Sequence, residues 1–190
     1  NPHLSLEECE YIWTGVMFYQ NLINFDGFML HSSAIAYENK AYMFSASCGV
    51  GKSTHARLWQ ECFGEKNAKI INDDKPVIRL IENQFYVFGT PWSGKTDKNL
   101  NIAVPLCGIC MLSQSKDNKI KKADERTAIY SVLNQTLRPY EYSKLNILLT
   151  ILDKLVREIP FFEFGCNISI DAVKLSYETM KKEDEKCKEL

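Results

Sequence analysis

The sequence predicts an α/β domain in which a mixed sheet, with a β-hairpin leading into a phosphate-binding loop, is flanked by helices. Three observations carry that expectation. Ser45-Ala46-Ser47-Cys48-Gly49-Val50-Gly51-Lys52-Ser53-Thr54 fits the pattern G-x-x-x-x-G-K-S/T in its second glycine, its lysine and its hydroxyl. The stretch follows the apolar run Ala41-Tyr42-Met43-Phe44 and opens into Lys52 to Phe63, which reads as a helix. Phe28 to Tyr37 is also extended and apolar, and only the polar turn Glu38-Asn39-Lys40 separates it from the loop strand. The loop strand thus has an antiparallel partner directly before it, which makes the sheet mixed.

Taken in order, Ser5-Leu6-Glu7-Glu8 has capping-box spacing. Leu6, Cys9, Trp13, Val16, Met17 and Ile23 then mark the apolar face of a helix running to about residue 23. Beyond the hairpin, the loop helix stops at Gly64, a C′ residue. Ala68 to Asn72 is a short strand, expected beside and parallel to 41–45 because a helix connects them. Val77 to Ile81 and Gln84 to Phe88 form a hairpin turned at Glu82-Asn83. A polar loop, 89–101, precedes the apolar strand Pro105 to Ser113. Ala123 to Leu137 and Tyr142 to Ile159 are amphipathic helices, the second stopped by Pro160. Phe161 to Cys166 alternates like a strand, and Ile170 to Met180 is a last helix. The charged tail from Lys181 is expected to fray. Residues 1–190 thus read as one domain: an N-terminal helix over 1–24, a nucleotide-binding core over 28–112, and a largely helical part over 123–182. Asn1 stands in place of an initiator Met, which leaves room for an upstream region.

Composition narrows the class. A chain of 190 residues, 45% hydrophobic and 25% charged, suits a soluble globular domain. A net charge of −1 provides no general field for nucleic acid or an acidic membrane, and no apolar run reaches bilayer length. Seven cysteines at scattered positions make no disulfide framework, so free thiols and a cytoplasmic setting are expected. Cys107-Gly108-Ile109-Cys110 lies in an apolar strand without a second ligand pair, and reads as packing rather than a metal site.

The loop supplies the chemistry. Glycines 49 and 51 let the amides of Cys48 to Thr54 curl round a phosphate, and the helix N-terminus adds partial positive charge there. Lys52 would reach the outer phosphates, and the Ser53 hydroxyl would ligate Mg²⁺. Ala46 stands where the pattern has its first glycine, which suggests a different entry into the turn. Asp73 and Asp74 end the next strand, where one carboxylate can hold Mg²⁺ and the other accept the proton of an attacking hydroxyl. His31 lies mid-strand in the hairpin, either as a packed residue or as a group near phosphate. His55 falls in the first turns of the loop helix, close to any bound phosphate, and His3, near the terminus, is given no role. Thr90-Pro91-Trp92-Ser93-Gly94-Lys95 is either a flap that brings Lys95 to phosphate or a surface turn anchored by Trp92.

His31-Ser32-Ser33-Ala34, Gly49-Val50-Gly51-Lys52-Ser53-Thr54, Asn72-Asp73-Asp74-Lys75-Pro76 and Gly89-Thr90-Pro91-Trp92-Ser93-Gly94-Lys95 occur in an order and spacing that resembles the catalytic domain of HPr kinase/phosphorylase, and more closely its small bacterial relatives. The resemblance covers roughly residues 28 to 112. It implies a core shared with phosphoenolpyruvate carboxykinase, and ATP-dependent, Mg²⁺-dependent phosphoryl transfer to a hydroxyl on a protein, peptide or small alcohol. It also implies that Lys52 and Ser53 hold phosphate and Mg²⁺, that Asp73 or Asp74 is the base, with Asp73 slightly preferred and Asp74 a metal ligand, and that His31 lies near the reacting phosphate. By the same analogy the chain would form a homo-oligomer. The Glu-x-Arg-Gly signature of HPr kinases is absent, and Asn99-Leu100-Asn101-Ile102 occupies its place. Two other readings stay open: a nucleotide-binding regulatory or maturation module without catalysis, and a carboxykinase-like enzyme, for which the chain is short.

Overall fold

The computed structural model describes residues 4–188; His3 and the last two residues of the charged tail lie outside them. In chain order the elements are α1 (Leu6–Asn21), β1 (Gly27–Met29), β2 (Ser32–Tyr37), β3 (Lys40–Ser45), α2 (Lys52–Phe63), β4 (Lys69–Asn72), β5 (Val77–Ile81) and β6 (Gln84–Phe88). They continue with β7 (Ala103–Gln114), β8 (Lys119–Lys122), α3 (Glu125–Gln135), α4 (Tyr142–Glu158), β9 (Phe161–Cys166) and α5 (Ile170–Lys188). The strands join in one mixed sheet ordered β1-β5-β6-β7-β3-β2-β4, with β9 on β7 and β8 on β9. The long β7 links its two regions. Its first residues pair antiparallel with β6, while the rest pairs parallel with β3 and β9.

Strand alternation builds two cores. Along β3, Ala41 and Met43 face one side, with α3 and α4 residues such as Val132, Leu152 and Leu155. Tyr42 and Phe44 face the other, under Trp59 of α2 and Val173 and Met180 of α5. The hairpin turns Glu38-Asn39 and Glu82-Asn83 have positive φ at both residues, the backbone that matches the twist of the flanking strands. Cys107 and Cys110 lie buried against Met180, and burial pushes the Cys110 thiol well up. Among the described residues no cluster of three or more metal-ligating side chains occurs, and no helix is long and apolar enough to cross a membrane.

Several expectations are corrected. The extended run from Phe28 breaks at Leu30-His31. The residues before the break pair with β5, and those after it pair with β3 and β4. Strand β4 does run parallel to β3 but is not beside it. Strand β2 lies between, antiparallel to both, because the hairpin occupies that edge first. Helix α1 turns its other stripe inward. Of the expected face Leu6, Trp13 and Met17 are exposed, Cys9 and Val16 half-buried and Ile23, just past the helix, buried, while Gly15 and Tyr19 are buried. The charged tail continues α5 to Lys188, since Lys181 pairs with Glu38, Glu183 with Lys122 and Asp184 with Lys40. Strand β8, a short Lys-rich segment, has no apolar pattern to announce it.

Candidate functional site

The intervening β2 brings the site together. Ser45 at the end of β3 lies opposite Ser32 at the start of β2, and Ala34 lies opposite Asn72 at the end of β4. The phosphate-type loop, the His31 break and the two aspartates therefore leave the sheet at one edge.

Cys48 and Gly49 are exposed and Val50 and Gly51 half-buried. Gly49 (φ +82) and Gly51 (φ +124) have left-handed backbone, and a Cβ built on either would meet nothing within 4 Å. The loop is thus open where an anion would enter, and glycine is needed for its conformation rather than for lack of room. Gly51 begins α2 with no side-chain cap, so the first helix amides have no capping side chain. Ser53 is exposed and Thr54 half-buried in the first turn. The buried Lys52 ammonium donates to the Ala46 carbonyl at 3.0 Å. Burial lowers its pKa, while Asp74, Cys48 and Asp73 pull it back up. Ala46 does not have positive φ, and its methyl packs among the aromatics under α2, so glycine is not required there.

Asp73 is buried and accepts two hydroxyls, Ser33 Oγ at 2.5 Å and Thr96 Oγ1 at 2.8 Å. Asp74 is partly exposed. Its Oδ1 lies 3.3 Å from His31 Nε2 and its Oδ2 2.5 Å from Lys75 Nζ. Burial works against its charge, but the hydrogen bonds from His31 and Lys75 outweigh it and hold the carboxyl down at about 2. The other ring nitrogen of His31, Nδ1, is 2.9 Å from Gln135 Oε1, and the His31 amide donates to the Gln135 carbonyl. Asn72, fully buried, fixes the aspartate turn. Its Oδ1 accepts from the amides of Asp74 (2.9 Å) and Lys75 (2.7 Å), and its Nδ2 donates to the Thr90 carbonyl (2.8 Å).

The 90–97 loop folds over the acids. A Cβ on Gly94 would lie 3.0 Å from that of Asp74, and Thr96 reaches Asp73. Trp92 is its anchor. The indole donates to the Tyr11 carbonyl at 2.8 Å, stacks on Phe18, and lies where a side chain on Gly15 would be. Lys95 is exposed and makes no ion pair among the described residues. The expected position of His55 is corrected. It is buried beneath α5, beside Ser176 and Trp59, and burial pushes its pKa down to about 4, so it is a neutral core residue.

Lys52, Asp73, Asp74 and His31 are thus gathered at one edge with the open loop, whereas Lys95 and His55 are not drawn in. Thr96 and Gln135 were not foreseen, and Ser33, Asn72 and Thr90 stand in the quoted motifs without a role assigned to them. Ser33, two residues after His31, had a local signal. Gln135, 104 residues from its partner, had none.

Such an edge gathers an uncapped helix start, a buried lysine and paired carboxylates on a mixed α/β fold. In fold the chain is similar to the Hpr(Ser) kinase/phosphatase from Coxiella burnetii, with a TM-score of 0.50 over 83% of this chain and 98% of that one. Identity is 9%, so the likeness is one of fold. No family model matches the sequence, and no curated protein matches it.

Proposed function

We propose that the protein transfers the γ-phosphoryl group of ATP to a hydroxyl, with Mg²⁺. The observation that carries this reading is the convergence of an open loop, Lys52 and two carboxylates at one sheet edge. Lys52 and the amides of 48–54 hold the phosphates and neutralise charge that builds up in transfer. Ser53 and Asp74 would hold Mg²⁺, which supplies further charge neutralisation. A carboxyl held near 2 is a poor proton acceptor and a good fixed anion, which suits Asp74 to that task. Asp73 is assigned as the base. It already accepts a hydroxyl from Thr96 on the covering loop, and an acceptor hydroxyl would take the place of that one. The acceptor oxygen then bonds to the γ-phosphorus, the bond from phosphorus to the β,γ-bridging oxygen breaks, ADP leaves, and the acceptor's proton goes to Asp73. The fold of the Coxiella Hpr(Ser) kinase/phosphatase is consistent with this chemistry.

The test is transfer of radiolabelled phosphate from Mg·ATP to protein or small molecules of a cell extract. Asp73→Asn is expected to keep ATP affinity and lose at least ~100-fold in transfer, the scale of one positioned base. If the wild type binds ATP and labels nothing, catalysis is refuted and the chain is a nucleotide-binding regulatory module.

A further inference from the structure

The two hydroxyls on Asp73 differ in kind. Ser33 Oγ donates to Oδ1 from β2, a strand held on both sides by β3 and β4, and Ser33 is fully buried. Thr96 Oγ1 donates to Oδ2 at 2.8 Å from the exposed 3-10 turn Gly94–Thr96. Gly94 (φ +69) and Asp97 (φ +51) have left-handed backbone at either end of this turn and set it close over the acids. The loop lysine shares the same space. Burial lowers the pKa of Lys52, and the charges of Asp74 and Asp73 oppose that, so the ammonium is within electrostatic reach of both acids.

We propose that Thr96 is a phosphorylation site of the protein's own making: the chain transfers phosphate to this hydroxyl. The inference rests on the phosphoryl-transfer reading and names an acceptor, which that reading leaves undefined. Thr96 Oγ1 bonds to the γ-phosphorus of ATP held at Lys52, and the bond from phosphorus to the β,γ-bridging oxygen breaks. ADP leaves with that electron pair, and the Thr96 proton goes to Asp73 Oδ2, the oxygen that already accepts its hydrogen bond. Hydroxyl and base are already within the reach a base needs, about 2.6–3.2 Å, so no encounter has to be made. Ser33 is the poorer acceptor, because its strand pairings fix it in the interior. Thr96 meets the Asp73 of its own chain, so the reaction is intramolecular. The product carries a charge of roughly −1.5 to −2 beside two carboxylates, so the turn is repelled from the acids after one transfer. Its departure vacates the place on Asp73 that an external hydroxyl would take, and the neighbouring Lys95, exposed, is a cation for the freed phosphate.

The test incubates the purified chain, first treated with a phosphatase, with radiolabelled Mg·ATP and no other protein, and locates the phosphate by tandem mass spectrometry. Wild type is expected to take up one phosphate per chain, on Thr96, with a half-time that does not change with protein concentration. Thr96→Val and Asp73→Asn should each lose at least ~100-fold in the rate of uptake, the scale of one positioned base and its partner, whereas Thr96→Ser should keep it. Thr96 is exposed, so its variants test the site without risk to folding. Lys52→Ala chains mixed with wild type should stay unlabelled. Label on another residue, label that survives Thr96→Val or Asp73→Asn, or labelling of the Lys52→Ala chains by wild type would overturn the proposal. If wild type labels acceptors of a cell extract while its own Thr96 stays unmodified, this proposal falls and phosphoryl transfer stands. If it labels neither itself nor the extract, both readings fall together.

Discussion

Asn72→Ala tests whether one buried amide holds the aspartate turn in shape. The side chain is fully buried and serves three backbone groups: the amides of Asp74 and Lys75, and the carbonyl of Thr90. Alanine leaves all three without that partner. A stranded buried donor or acceptor costs about 1–3 kcal/mol. Asp74 and Lys75 are only half-buried, so water recovers part of the loss, and the low end applies to each group. With the buried Thr90 carbonyl at about 1–3 kcal/mol, the sum is about 3–5 kcal/mol, a large fraction of a typical domain's stability. Urea unfolding followed by tryptophan fluorescence should show the midpoint falling with an unchanged slope, as a change in stability alone requires. Transfer should fall too, because the amide that orients Asp74 is released, whereas tripolyphosphate binding at the loop should persist. A loss under 1 kcal/mol would refute the argument, since it would mean that the turn holds its shape without Asn72.

Two further perturbations follow from the same contacts. Gly15→Ala places a methyl 2.6 Å from Trp92 Nε1, so the indole must shift and lose its hydrogen bond to Tyr11; overpacking of this kind costs about 1–3 kcal/mol, measurable by urea unfolding, and an unchanged midpoint would show that α1 does not clamp the loop. The carboxyl of Asp74 is held at about 2 in the fold against an ordinary 3.8, so its stabilisation is present above pH 4 and disappears as pH falls towards 2; at most ~2 kcal/mol is involved, and Asp74→Asn should flatten the stability profile in that window, as urea unfolding across pH 2 to 5 would show.

What could be read in the sequence was local in the chain. The loop motif, the hairpin before it and the turn after it are each set by a few neighbouring residues: glycines with left-handed backbone at 49 and 51, polar two-residue turns, and apolar strands between them. The features that escaped are those in which one element's choice depends on another's. The apolar spacing of α1 was read as one stripe, Leu6, Cys9, Trp13, Val16, Met17 and Ile23. The stripe that faces inward contains Gly15 because an indole from residue 92 must approach the helix backbone there. His31 had no local mark of its role either. Its ring is fixed by Gln135 on one side and Asp74 on the other, partners from two elements that only the folded sheet brings together. The pairing of β2 between β3 and β4 explains why the site could be approximated without the right sheet order. Two antiparallel steps restore the parallel direction, so the aspartates reach the loop's edge whether one strand intervenes or none. The intervening strand nonetheless matters for the chemistry, since it inserts Ser33 and His31 beside the acids, binding one hydroxyl to Asp73 and one imidazole to Asp74. Two adjacent carboxylates that would otherwise share one environment are thereby given different ones. Asp73 is surrounded by hydroxyl donors and Asp74 by the Lys75 ammonium and the His31 ring, a division that on the proposed function separates a proton acceptor from a fixed charge.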